Sequence, residues 1–178
     1  MPYLESHQLT LWLTARGISL VVRLGLKIYR LPPSTSKGMA TTTLVDSGPI
    51  VALINQRDCF HAWCVSRLET LTDPLLTCDA VLSEAFYLLK RHTSDGPRRL
   101  TEMIHREILV SDFALKSVAP RVMDLLKKYQ DLPTSFADVC LVAMAERHDD
   151  AKIWTLESDF RIYRRHDRRV IPLIIPDR

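Results

Sequence analysis

Five acidic residues stand out for what surrounds them. Asp46 closes the apolar run Thr43-Leu44-Val45 and is followed by Ser47-Gly48-Pro49. An acid at the carboxyl end of a parallel strand lies where open α/β sheets bind ligands. It is also a good N-cap for a helix with Pro in its first turn. Glu84 sits in Ala80–His92. At about 100° per residue it falls just beyond Leu88, at the edge of the apolar arc Val81, Leu82, Ala85, Phe86, Leu88 and Leu89. Asp138 is the sharpest anomaly, because the same arithmetic points it into the middle of the face Leu141, Val142 and Ala145. A lone carboxylate on a core face costs several kcal/mol unless it is paired or metal-bound (about 2–7 kcal/mol even for a neutral group). Ser135-x-x-Asp138 also reads as a capping box with Asp in place of Glu. Glu157 and Asp159 follow Ile153-Trp154-Thr155-Leu156 and put two more acids at a strand end. Carboxylates gathered in one cleft repel each other unless a cation offsets them, and hard oxygen ligands suit Mg²⁺ or Mn²⁺.

Those positions need a sheet whose strand ends share one edge. Short β-prone runs occur at Thr43–Val45, Leu75–Thr77, around Ile108–Val110, at Ile153–Leu156 and at Val170–Ile175. Helical periodicity fills the intervals at Pro49–Asn55, Cys59–Leu71, Ala80–His92, Pro97–Glu107, Val118–Tyr129 and Phe136–His148. Strands separated by helices predict an α/β three-layer sandwich, a mostly parallel central sheet flanked by helices. No Gly-x-Gly-x-x-Gly or Walker loop is present, so nucleotide-cofactor chemistry has no support.

Composition sets the outer bounds. The 178 residues are 47% hydrophobic and 25% charged, enough for a packed core. The formal charge of +3 is uneven: residues 1–38 hold five basic residues and one acid, leaving 19 bases against 20 acids for the rest. That excludes a uniformly basic nucleic-acid coat. Local clusters remain. Arg161, Arg164, Arg165, Arg168 and Arg169 surround the last acidic motif, with Tyr163 among them as a stacking platform, and Arg98 and Arg99 form a smaller patch. Cys59, Cys64, Cys78 and Cys140 form no Cys-x-x-Cys pair, and Cys59, His61 and Cys64 lack a second ligand pair at zinc-finger spacing. Free thiols in the reducing cytoplasm are expected.

Residues 1–38 read as a leader outside the fold. Arg16 and Arg23 interrupt the apolar stretch 9–28, which disfavours a membrane span. Glu5 and the lack of a small-residue cleavage site argue against a secretory signal, while the arginine bias leaves a transit peptide open. Pro32-Pro33-Ser34-Thr35-Ser36-Lys37-Gly38 reads as a linker. Met39 is the expected natural start, and 39–178 the expected domain.

With these motifs in place, the chain resembles the PIN-domain family, and within it the VapC ribonuclease toxins of bacterial toxin–antitoxin pairs. The resemblance runs from about Thr42 to Pro176. It rests on Leu44-Val45-Asp46-Ser47-Gly48-Pro49-Ile50-Val51-Ala52-Leu53, Ser83-Glu84-Ala85, Ala137-Asp138-Val139 through Ala145-Glu146-Arg147, and Thr155-Leu156-Glu157-Ser158-Asp159-Phe160. It implies a PIN-like fold in which Asp46, Glu84 and Asp138 are the first three acids of a Mg²⁺ or Mn²⁺ site. The family's fourth acid is usually an aspartate directly after Thr-Leu. Here Glu157 stands in that place, with Asp159 two residues on, so both are candidates. Thr155 would orient a water or a carboxylate. The resemblance further implies a cytoplasmic endoribonuclease with RNA as substrate, held by Arg161, Arg164 and Arg165. An antitoxin and a homodimeric state are its implied partners. Two other readings compete: a PIN-fold RNA-binding protein that has lost cleavage, and a receiver-like phosphoacceptor domain. The receiver is disfavoured because Asp46 ends the first strand and the residues at the last strand end are acidic.

Overall fold

The computed structural model describes residues 12–14, 17–24, 27–31, 41–71 and 73–177, the first three stretches as strand backbone. Those stretches are β1 (Trp12–Thr14), β2 (Gly17–Leu24) and β3 (Lys27–Leu31), an antiparallel sheet in the order β1-β2-β3 that shares no strand with the main sheet. The sequence pattern assigns no element there, although Ile18, Leu20 and Val22 alternate with Ser19, Val21 and Arg23 in part at strand period. The linker expected at 32–38 and the start expected at Met39 lie outside the described residues.

From residue 41 the chain alternates strand and helix. β4 (Thr43–Val45) leads to α1 (Ser47–Ile54) and α2 (His61–Leu68). β5 (Leu75–Thr77) leads to α3 (Asp79–His92) and α4 (Gly96–His105), and β6 (Leu109–Ser111) to α5 (Leu115–Lys128) and α6 (Phe136–Arg147). After β7 (Lys152–Trp154) come a single 3₁₀ turn at Ser158–Arg161 and the small hairpin β8 (Arg164–Arg165) and β9 (Arg169–Val170). The last strand, β10 (Leu173–Ile174), returns to the main sheet. Its five strands run in the order β10-β7-β4-β5-β6, every neighbouring pair parallel.

The strand order carries the functional consequence. From β4 the chain steps outward to β5 and β6, then crosses back to place β7 on β4's other side. The reversal opens a crevice at the carboxyl ends of β4 and β7, the topological switch point where α/β sheets take ligands. Right-handed crossovers in opposite directions put helices on both faces of the sheet, as the sandwich requires.

Two elements differ from the sequence pattern. α5 begins at Leu115 rather than Val118, so Pro120 lies inside the helix; its missing N–H favours a place in the first turn, which biases the expected boundary. The run 170–175 is not one strand. Val170 pairs with Arg164 in the hairpin, whereas Leu173 pairs with Ile153 in the sheet. Pro172 separates them, lacking the N–H that a continuous ladder needs, and its carbonyl accepts from Ile153 N at 2.9 Å. The hairpin turns through His166 and Asp167, both at positive φ (47° and 63°).

α6 is the centre of the packing. Ala137 through Ala145 are buried without a break, and Asp138 is the one charged residue among them. A helix apolar on all sides must be enclosed, and α5, α3, β4 and β7 enclose this one. Trp154, Phe160, Tyr163, Leu44 and Ile50 are among the largest wholly buried side chains. Cys59, Cys64, Cys78 and Cys140 are free thiols. Among the described residues no helix is long and apolar enough to cross a membrane.

Candidate active site at the carboxyl edge of the sheet

Asp46 follows β4 and caps α1, so the strand-end and helix-cap readings are both realised in one side chain. Its backbone N–H donates to the Trp154 carbonyl at 3.0 Å, tying it to β7. Oδ1 accepts from Ser47 N at 2.6 Å, and Oδ2 accepts from the Thr155 hydroxyl at 2.8 Å. Only 2% of Asp46 is exposed. Burial pushes its pKa up to about 7; Glu157 and Asp138 push the same way, against the Thr155 and Ser47 hydrogen bonds.

Thr155 is fully buried and joins two of the expected acids. While donating to Asp46, its Oγ1 accepts from Glu157 N at 3.0 Å. Of the roles expected for it, orienting a carboxylate is the one the geometry displays.

Asp138 likewise combines two readings. The capping box is complete: Ser135 Oγ accepts from Asp138 N at 3.1 Å, and Asp138 Oδ2 accepts from Ser135 N at 2.8 Å. The same oxygen accepts from the Tyr163 hydroxyl at 3.3 Å. No hydrogen bond engages Oδ1 among the described residues, though Asp138 as a whole is only 7% exposed. A cap alone would not require enclosure in the core.

Glu84 projects half-buried from the middle of α3. Its pKa is raised by burial and then by Asp138, opposed by a hydrogen bond from Ser47. Glu157 is raised by burial, then by Asp138, Glu84 and Asp159. The charge of Asp138 therefore reaches Asp46, Glu84 and Glu157 although the four come from separate segments. Glu157 and Asp159 are both exposed, and Asp159, on the 3₁₀ turn, is the weakest of these influences on Glu157.

The basic cluster divides differently from its sequence pattern. Arg164 spends one terminal guanidinium nitrogen on the carbonyls of Arg161, Ile162 and Tyr163. Arg165 donates to the carbonyls of His148 and Asp149. Arg161 is exposed. Tyr163 is no stacking platform: it is 2% exposed, with edge-on ring contacts to Tyr129 and Phe160. Its hydroxyl reaches Thr134 Oγ1 at 3.1 Å as well as Asp138. The phenol can donate to either oxygen, while the Thr134 hydroxyl donates to the Tyr129 carbonyl at 3.4 Å. Sequence pattern alone could not reveal this support, because an aromatic among arginines looks the same whether it faces out or in.

The donor chemistry fits a divalent cation. Four carboxyl-bearing side chains lie close enough that the charge of Asp138 raises the pKa of Asp46, Glu84 and Glu157, and a hard cation would relieve that repulsion. In the arrangement described, the carboxylates of Asp46 and Asp138 are held by protein donors, and among the described residues no three acidic, His or Cys side chains are already closed into a coordination cluster.

A family model for the PIN domain matches residues 43–165. This chain belongs to the PIN-domain family. Among solved structures, the PIN-domain chain is similar to Mycobacterium tuberculosis VapC20, described as a Sarcin-Ricin loop cleaving toxin. The two are 17% identical with a TM-score of 0.61, over 66% of this chain and 92% of that one. That likeness is one of fold. Comparison with curated proteins gives no match. The matched span contains all five candidate acids.

Proposed function

We propose that the PIN domain of this chain, residues 39–178, is a Mg²⁺- or Mn²⁺-dependent endoribonuclease, the toxin of a toxin–antitoxin pair. The observation that carries the reading is that Thr155 ties Asp46 to Glu157 at the switch point, where the charge of Asp138 reaches Asp46, Glu84 and Glu157. These four would hold the cation, with Asp159 outside them. When bound, Mg²⁺ or Mn²⁺ supplies acidification of a water and neutralisation of the charge developing on the phosphate. The protein's own part is positioning. Thr155 fixes one oxygen of Asp46 and the backbone of Glu157 together. Ser135 and Tyr163 fix one oxygen of Asp138 and leave the other unengaged.

The competing reading, a PIN-fold RNA binder without cleavage, rests on glutamate at position 157. The influence of Glu157 on Asp46 supports the longer side chain still reaching the site, and so favours the enzyme. The fold shared with a toxin that cleaves the Sarcin-Ricin loop accords with RNA as substrate. An antitoxin and a homodimer belong to the same proposal, as does a cytoplasmic location. The test is cleavage of a mixed RNA pool by the full chain in Mg²⁺, Mn²⁺ or EDTA, beside Asp46→Asn and Asp138→Asn. Cleavage that needs the metal and disappears in both variants is expected. Metal-dependent binding without cleavage would move the chain to the second reading, and EDTA-resistant cleavage would overturn the metal site.

A further inference from the structure

An acidic crevice repels the polyanion it is proposed to cut, so something beside it must hold the strand. Several basic side chains are already engaged. On α4, Arg98, Arg99 and Arg106 pair with Asp95 and Glu102. Arg121 and Lys128 pair with Glu146 and Asp167. Arg164 and Arg165 are turned onto backbone carbonyls.

α3 offers a different arrangement. Glu84, Tyr87 and Arg91 lie at i, i+3 and i+7, within about 60° of one another around the helix axis at 100° per residue. Tyr87 is 59% exposed, the more exposed of the two aromatic side chains open to solvent among the described residues. Arg91 donates from one terminal nitrogen to the Tyr87 hydroxyl at 2.6 Å, and its guanidinium carbon lies 5.4 Å from the ring centroid. Arg91 has no acidic partner among the described residues, so its charge is uncompensated. Its contact with the ring restrains the side chains of an exposed pair, which lowers the ordering cost of binding.

We propose that Tyr87 and Arg91 form a subsite for single-stranded RNA beside the acidic crevice, an unpaired base stacking on Tyr87 while Arg91 meets the adjoining phosphate. The proposal rests on the nuclease reading for the identity of the strand. Tyr87 lies about 4–5 Å, and Arg91 about 10 Å, along the helix axis from Glu84. A paired base has both faces covered by its neighbours, so the platform selects unpaired RNA over duplex.

The test is fluorescence anisotropy of the full chain with a labelled single-stranded RNA oligomer in EDTA, where cleavage is off, against a duplex of the same sequence. Tyr87→Ala should weaken single-strand binding about tenfold and duplex binding little, while Tyr87→Trp should retain it. Ala is the best helix former and position 87 is exposed, so the melting midpoint should hold. Arg91→Gln should weaken binding and reduce the slope of log affinity against log salt by about 0.7, as loss of one single-strand phosphate contact requires. In Mn²⁺, Tyr87→Ala should raise KM for cleavage more than it lowers kcat. Parent-like single-strand binding by Tyr87→Ala, or an equal loss for duplex, would overturn the subsite. A parent protein that binds RNA through Tyr87 but cuts none would leave the subsite standing and remove the nuclease reading instead.

Discussion

Replacing Asp46 by Asn should stabilise the metal-free protein, and by an amount that depends on pH. Burial is the main reason that the Asp46 pKa rises from the ordinary 3.8 to about 7. The folded state therefore binds the proton more tightly than the unfolded chain. Stability from this group is fully present below about pH 4 and is lost as pH rises through 7. A rise of roughly three pH units amounts to about 4 kcal/mol of destabilisation at pH 8. Asn has no charge to bury. It keeps one oxygen to accept from Ser47 N but presents an amide where Oδ2 accepts from Thr155, a loss of about 1 kcal/mol. The net gain at pH 8 in EDTA is then about 3 kcal/mol, falling by about 1.4 kcal/mol per pH unit below pH 7 and nearing zero around pH 5. Urea unfolding of parent and variant at pH 5, 6, 7 and 8 measures it. Added Mn²⁺ at pH 8 should reverse the order, because the cation stabilises the parent's carboxylate and finds a weaker ligand in the variant. A variant no more stable than the parent at pH 8 in EDTA, or a gain independent of pH, would refute the account of a desolvated, crowded carboxylate.

Tyr163→Phe removes the phenol donor from Asp138 and should cost about 1–2 kcal/mol; calorimetric Mn²⁺ titration should also show weaker binding, whereas unchanged metal affinity would limit Tyr163 to packing. Glu146 accepts from Nε and one terminal nitrogen of Arg121 and from the backbone N–H of His166. Glu146→Ala leaves Arg121 only its exposed partner Asp167, so urea unfolding should show a loss of about 1–3 kcal/mol, and a loss under about 0.5 kcal/mol would contradict it. His166 holds a positive φ of 47° that Gly adopts freely, and His166→Gly retains the backbone donor to Glu146. The melting midpoint should rise, for a gain of about 0.5–1 kcal/mol; a fall would show that the imidazole contributes more than the strain costs.

Features written over a few adjacent residues are legible in the amino-acid sequence. Thr43-Leu44-Val45-Asp46 reads as a strand ending in a cap, and Ser135-x-x-Asp138 as a capping box, because strand and cap preferences act over four residues or fewer. The periodicity of Ala80–His92 and Phe136–His148 locates Glu84 at the margin of an apolar face and Asp138 within one. Local pattern also carries the five strands of the parallel sheet and their six helices, so the α/β class follows.

Which side chains meet is another matter. The Thr155 bond to Asp46 spans 109 positions and exists because β7 inserts beside β4 rather than beyond β6. No local preference encodes that order; it depends on how the whole chain buries its apolar surface and closes its backbone hydrogen bonds. The same packing turns Tyr163 inward to Asp138 and engages Arg164 and Arg165 on carbonyls. It also brings the charges of Asp138 and Glu84 onto Glu157, with Asp159 the weakest contributor. Forces between near neighbours along the chain set the elements and the kinds of donor they carry. Which of those donors share a crevice is settled only by folding, because burial and charge coupling depend on distance in space and not on distance along the chain.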